Sequence, residues 1–337
     1  MKKQKFSLPL VNCHTHGAMV AFRGLAEDLA LQEWLENHIW PKEREHVKPS
    51  FVYKNTKKAI QEMQRNGIKV FSDMYFFEDE VARAARELKI HALIGEGLLD
   101  FPTPGAKNFD VGLKITESLI KKYKNDDWVK VAVAPHSIYT VSKKNLIKAK
   151  NLANKYGAIY HIHLAETKKE IEDCKKTHGL TPTQYLDKLG MLDKKTILAH
   201  CVFLNDEDIK IIKKRGAKII HCPLSNAKLG SGIAPISKIM KEGASVALGT
   251  DGAASSNRMD IWEAGKIAAL LQKAKHNDPT LLPVKEVIKM MTINGLEALG
   301  FTNFEGKTLK ELEEEIEKEE NNFDYLYSHN IEQLDFK

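Results

Sequence analysis

Short runs of β-branched and aliphatic residues recur along the chain, separated by longer segments whose apolar positions fall three and four apart. The short runs predict strands over 8–13, 68–74, 92–98, 129–134, 158–163, 196–200, 217–221 and 245–249. The longer segments predict helices over 54–66, 78–88, 113–122, 143–155 and 206–214. The first of these stops at Gly67, a residue that accepts the left-handed turn ending many helices. The last opens on Asn205, Asp206, Glu207 and Asp208 and closes on basic residues before Gly216, the charge order that suits a helix dipole. Eight strand–helix alternations predict an α/β chain folded as a (β/α)8 TIM-type barrel. A doubly wound open sheet is the rival architecture. No GxGxxG follows the first strand, which weakens its dinucleotide-binding form.

The pattern changes near residue 304. Leu309, Leu312 and Ile316 stand at helical spacing among glutamates, and Phe323, Asp324, Tyr325, Leu326 and Tyr327 follow. From Glu305 onward there are 11 acids against 4 bases, whereas residues 1–304 carry 47 bases against 34 acids. The expected division is a barrel over 1–304 and an acidic helical tail over 305–337, packed on the barrel or extending from it. A partner-binding helix is the other reading of the tail.

Composition narrows the function classes. The 337 residues suffice for a large core, and 43% apolar with 28% charged residues is ordinary for a soluble enzyme. The net charge of +6 does not by itself make a nucleic-acid binder. The lysines are spread along helices without interleaved aromatic residues, so no nucleic-acid partner is expected. Four cysteines without a CxxC exclude a disulfide scaffold. The apolar run at the N-terminus is too short for a signal peptide, and no stretch reaches the length of a membrane-spanning helix. A cytoplasmic protein is expected, with a homo-oligomer left open.

The chemistry gathers where the predicted strands end, the rim from which barrels of this kind draw their catalytic groups. His14 and His16 end the first strand, and His136 follows the fourth. His161 and His163 lie on the fifth, with Glu166 beyond them; His200 ends the sixth, His221 the seventh, and Asp251 follows the eighth. Strand side chains alternate, so His14 and His16 face one way and can grip one cation. An isolated HxH is weak evidence, but His163 and Asp251 at two other strand ends strengthen it. Three imidazoles and one carboxylate suit Zn²⁺, with Fe²⁺ or Mn²⁺ also compatible. His161 sits one pleat deeper and reads as an interior histidine rather than a ligand. Glu166, in the loop, is free to face a substrate and move protons. His136, His200 and His221 read individually as structural histidines, and together with a metal as its surroundings. Cys13, Cys201 and Cys222 each neighbour a histidine and so point away from it, as small packing residues.

These motifs resemble a family. Asn12-Cys13-His14-Thr15-His16, Arg23-Gly24-Leu25-Ala26-Glu27-Asp28, Glu33-Trp34-Leu35 and Trp40-Pro41-Lys42-Glu43 are similar to the opening of the methylthioadenosine/S-adenosylhomocysteine deaminases of the amidohydrolase superfamily. The resemblance continues through Ala134-Pro135-His136-Ser137, His163-Leu164-Ala165-Glu166, Ala199-His200-Cys201, His221-Cys222-Pro223-Leu224-Ser225-Asn226 and Leu248-Gly249-Thr250-Asp251-Gly252-Ala253-Ala254-Ser255. It implies hydrolytic deamination of an adenine nucleoside to the inosine analogue and ammonia. Related activities share its metal motifs: guanine, aminodeoxyfutalosine and cytosine deamination, and triazine dechlorination. A barrel with a non-catalytic metal is the reading from another class.

The resemblance implies that His14, His16, His163 and Asp251 hold one divalent ion, most simply zinc. It makes Glu166 the proton carrier to the purine ring, and gives His200 and Asp251 the attacking water. Glu43 would bind the ribose hydroxyls and His136 the substrate near the nucleoside, with Trp34, Glu96 and His221 as further substrate contacts. Two departures stand out. Relatives that accept S-adenosylhomocysteine place arginines on the loop after strand 3, where this chain has Glu96 and, further on, Asn108. A carboxylate cannot clamp a carboxylate, so neutral 5′ groups are expected and S-adenosylhomocysteine is disfavoured. The family also wraps its barrel with a small β-domain from both chain ends, and the barrel here is expected to lack it.

Overall fold

The computed structural model describes residues 8–318 and 325–328. Eight parallel strands run in chain order around one sheet: β1 Leu10–Thr15, β2 Ile68–Tyr75, β3 His91–Leu98, β4 Val129–Pro135, β5 Ile159–Leu164, β6 Thr196–His200, β7 Lys218–His221 and β8 Val246–Leu248. They form a nearly closed (β/α)8 barrel, the predicted class. Nearly every strand position is buried, as expected for a parallel sheet covered on both faces. The first strand begins two residues later than expected, because its ladder starts where Leu10 meets Ile68.

The seam between β8 and β1 is closed by polar groups. The Asn12 amide donates to Thr250 Oγ1 (2.8 Å) and its Oδ1 accepts from Thr250 N (2.9 Å). Asp251 N donates to His14 O at 2.9 Å. A Cβ on Gly249 would meet His14 N and Cβ at 2.9 Å, so only glycine permits this approach.

Helix ends follow the local chemistry. Asn205 caps the helix Asp206–Arg215 with a reciprocal pair of bonds to Asp208, and Gly216 ends it in the left-handed region. The helix Phe109–Lys122 is capped by Asn108, whose Oδ1 accepts from Val111 N at 3.0 Å. Between β1 and β2 the chain forms a 3-10 turn Gly17–Phe22, then a π-helical stretch Trp34–Ile39 that runs into the helix Trp40–His46.

Past the barrel, Asn303–Phe304 and Lys307–Thr308 pair as a short antiparallel hairpin. The helix Leu309–Lys318 then buries Leu312 and Ile316 against the helices Val284–Met291 and Ile293–Ala298. Its acids meet bases on the body: Lys289 Nζ lies 3.1 Å from Glu313 and 3.3 Å from Glu317. Leu326, in a short helix Tyr325–Ser328, is buried against the helix Ile261–His276. Expectations for residues 319–324 and 329–337 of the tail lie outside the described residues. Among the described residues no helix is long and apolar enough to cross a membrane.

Candidate active site

The C-terminal ends of the strands surround a cavity of about 660 Å³, open to solvent at its mouth. Its floor is polar: His16, His136, His163, Glu166, His200 and Asp251 line it. Its walls are apolar, built largely by the segment that includes the π-helical turn, with Leu31, Trp34, Leu35, Ile39 and Trp40. A π-helical turn at a functional site is a familiar distortion, since it re-aims side chains that a regular helix would place elsewhere.

His14, His16 and His163 come together at the floor, with one donor atom from each within 4.8 Å of the others. Asp251 Oδ1 stands 3.1 Å from His16 Nε2 and 3.6 Å from His14 Nε2. The δ nitrogens are engaged elsewhere. His16 Nδ1 donates to Met74 O (2.5 Å) and His163 Nδ1 to His136 O (2.7 Å). His14 Nδ1 lies 3.0 Å from His161 Nε2. Each ring therefore turns its Nε2 toward the shared point. His14 Nε2 is fully buried and has no hydrogen-bond partner among the described residues. An orphaned imidazole nitrogen, two more beside it and a carboxylate are the donor set a divalent ion needs, and this cluster could hold one.

The electrostatics of two of the three rings suit that use. Burial, with neighbouring histidines, holds His14 and His163 well below the usual imidazole range, so both are neutral. Burial opposes charge on His16 too, but the hydrogen bond and charge of Asp251 lift it to about 9. Asp251 is itself kept ionised against burial by the hydrogen bond and charge of His16. Ser225 Oγ (2.5 Å) and Ser255 Oγ (2.8 Å) donate to Asp251 Oδ2, and Gly252 N donates to Oδ1 (2.7 Å). These partners fix the carboxylate's orientation.

Four further titratable groups line the cavity: His200, Glu166, His136 and Glu43. His200 Nδ1 donates to Asn226 Oδ1 at 2.8 Å, which leaves Nε2 on the cavity side, 3.8 Å from Glu166 Oε2. Glu166 is 4% exposed, and burial raises its carboxyl above the ordinary range. His136 Nδ1 is tied to the hydroxyls of Ser137 and Thr140 at 3.2 and 3.0 Å, and burial lowers its pKa to about 3. Glu43 reaches the cavity from the helix Trp40–His46. Burial lifts its carboxyl to about 7, with the Tyr75 hydroxyl beside it working the other way.

Two expected contacts are corrected. Glu96 does not line the cavity; Gly97 does. Strand β3 extends through Leu98, and alternation sends residue 96 outward, where its carboxylate accepts from Phe77 N (3.2 Å) and Glu78 N (3.0 Å). Asn108 is likewise spent as a helix cap. His221 is 2% exposed and does not line the cavity; it ends β7 inside the barrel, and burial lowers its pKa to about 3. The lining also includes residues that motif reading did not single out, such as Tyr75, Phe76 and Tyr139. No residue-type signal marks them, because they reach the rim through loop paths and strand ends.

Comparison with known proteins places this geometry. Residues 9–306 match the Amidohydrolase family. The chain is 48% identical over 290 residues to a 5-methylthioadenosine/S-adenosylhomocysteine deaminase of Thermodesulfovibrio yellowstonii, covering 86% of this chain and 66% of that protein. It is 42% identical over 293 residues to a 5′-deoxyadenosine deaminase of Methanothermobacter thermautotrophicus, covering 86% and 68%. An adenosine deaminase of Xanthomonas campestris, solved with bound zinc, superposes with a TM-score of 0.87 at 36% identity, covering 90% of this chain and 69% of that one. The chain thus spans about two thirds of the length of these relatives.

Proposed function

This chain belongs to the amidohydrolase family, and from that premise we propose that it hydrolytically deaminates an adenine nucleoside at C6, with one zinc ion as cofactor. The observation that carries the reading is the convergence of His14, His16, His163 and Asp251 on one point of a cavity floor that also holds Glu166 and His200. Relatives named for methylthioadenosine, S-adenosylhomocysteine, 5′-deoxyadenosine and adenosine deamination support the substrate class.

His14, His16, His163 and Asp251 would hold a divalent ion, which would supply Lewis acidity toward a hydrolytic water near neutral pH. The residues do the rest. Glu166, kept protonated to higher pH by burial, gives its proton to the ring nitrogen next to C6, which makes that carbon electrophilic. His200, held by Asn226 with Nε2 toward the cavity, takes a proton from the water as it adds. Asp251 orients that water, and its own geometry is set by Ser225 and Ser255. The proton taken by His200 then passes to the exocyclic amine, which leaves as ammonia; C6 keeps the water's oxygen as a carbonyl, and the remaining hydroxyl proton returns to Glu166. Glu43 accepts hydrogen bonds from the ribose hydroxyls, His136 contacts the nucleoside, and Trp34 packs against it.

Among the described residues no lysine or arginine lines the cavity. The charged side chains lining the cavity, apart from histidines, are Glu43, Glu166 and Asp251, all acidic. Burying an amino-acid carboxylate among them is unfavourable. Neutral 5′ groups, as in methylthioadenosine, 5′-deoxyadenosine and adenosine, are therefore preferred to S-adenosylhomocysteine. Ammonia release from these four compounds by zinc-loaded protein tests both parts. No release from any adenine nucleoside would sink the activity. A kcat/KM for S-adenosylhomocysteine about tenfold or more above the others would sink the 5′ preference.

A further inference from the structure

Glu170 lies in the first turn of the helix Lys168–His178 and is 4% exposed. Its carboxylate spans two successive backbone amides: Oε1 accepts from Ala165 N and Oε2 from Glu166 N, both at 2.9 Å. Its own N–H donates to Thr167 Oγ1, the helix cap, at 3.2 Å. Ala165 has φ +52°, a left-handed backbone that a non-glycine residue rarely adopts. The other side of that peptide is pinned as well, since Ala165 O accepts from Val202 N (3.0 Å) and Phe203 N (2.9 Å).

This arrangement is costly for stability alone. Burial pushes Glu170 up to about 7, and the two amides and His200 only partly offset this. The acids and thiols around it, Glu166, Cys174 and Cys201, supply no positive charge. A neutral residue would spare the chain that burden. What the carboxylate does achieve is geometric. The left-handed turn at Ala165 breaks the extended path of β5 directly after His163 and Leu164, and it is this turn that carries Glu166 into the cavity. A single carboxylate with two oxygens matches two adjacent N–H groups, as a carboxamide cannot.

We propose that Glu170 is a positioning residue for the reaction, clamping the Ala165–Glu166 backbone in the left-handed turn that delivers Glu166 to the substrate. The proposal rests on the reading of Glu166 as the proton carrier. Glu170 touches neither substrate nor metal, so its removal acts through Glu166.

A double-mutant cycle on zinc-loaded protein tests it. Glu170→Ala should lower kcat by about 10- to 100-fold, the effect of misplacing a catalytic group by around an ångström. KM for adenosine and zinc content should stay at wild-type values. Glu170→Gln, which keeps one acceptor, should fall between wild type and Glu170→Ala, and it serves for the whole cycle if the alanine variant does not fold. In a Glu166→Gln background, either change should cost nothing further, because the group being positioned is already disabled. Hydrogen exchange at the Ala165 and Glu166 amides should accelerate in the Glu170 variants. The same loss in the Glu166→Gln background as in wild type would overturn the proposal, as would unchanged exchange at the two amides. If Glu166→Gln itself leaves turnover intact, the proton-carrier reading fails and this proposal falls with it. An additive cycle on a slow Glu166→Gln enzyme refutes the clamp alone.

Discussion

The two ends of the barrel use the same eight strands for opposite purposes. At the C-terminal rim, ionisable groups are buried together: His14, His163, Glu166, His200 and Asp251 are each at most 5% exposed. The backbone there is also strained, with Ala165, His200, Cys201 and Asp251 all at positive φ. At the N-terminal end aromatic packing predominates. His91, the first residue of β3, stacks on Trp128 at 4.6 Å between ring centroids and meets Phe301 and Phe304 edge-on at 5.7 and 5.1 Å. On the adjoining flank, the helix Leu309–Lys318 adds Leu312 and Ile316 to the core. The contrast shows where the molecule places its costs. At the rim desolvated ionisable groups and left-handed backbone occur together around one cavity, and the apolar packing of the other end and the flank supplies compensating burial.

That division yields predictions of decreasing size. Removing one of the proposed metal ligands should be the most severe for function and mild for folding. His163→Ala should bring zinc content and turnover to background while the protein stays folded, as read by metal analysis, ammonia release and circular dichroism. Retained zinc with retained turnover would break the assignment of the rim.

Ile316→Ala tests the other side. Ile316 is fully buried, so losing its side chain should cost about 2–5 kcal/mol of stability in denaturant unfolding. The kcat measured well below the melting temperature should not change. A fall in kcat comparable to the fall in stability would show that the tail helix and the rim are coupled.

Glu43→Gln gives the smallest effect and crosses the division. Charged acceptors make stronger hydrogen bonds than neutral ones, so kcat/KM for adenosine should fall by about tenfold, mostly through KM. Stability should move the other way. Burial lifts the folded-state pKa from 4.5 to about 7, so the folded protein keeps a proton that the unfolded chain has lost across that interval. Glu43's contribution to stability is therefore fullest below pH 4.5 and is lost as pH rises through 7. Thermal melts at pH 8 should show the glutamine variant more stable than wild type by a few degrees, on the order of 1–3 kcal/mol. The advantage should shrink toward pH 5. A variant less stable than wild type at pH 8 would contradict a buried, charge-penalised Glu43.

The sequence was readable wherever one residue's type and spacing determine its place. Eight β-branched runs became eight strands, because a doubly covered parallel strand must be apolar at almost every position. His14 and His16 share a face because strand side chains alternate, and His161 lies one pleat below His163, against His14. The reading failed where one register step mattered. Glu96 was expected to face substrate; it lies within the predicted strand 92–98, and alternation turns it outward and brings Gly97 to the cavity instead. His221 ends its strand as His200 does, yet only His200 lines the cavity.

Sequence alone thus determined the number and order of the barrel strands and the residue types gathered at one rim, since these follow from periodicities of a few residues. Only the tertiary structure decided which carboxylate does what. Glu43, Glu96, Glu166 and Glu170 are all buried glutamates with raised pKa values. Two face the cavity and bear on it directly, while Glu96 holds the start of a helix and Glu170 holds the turn behind Glu166. The difference lies in which backbone amides come within about 3 Å of each carboxylate. Chain segments brought together by the fold set that distance, and no local pattern in the sequence records it.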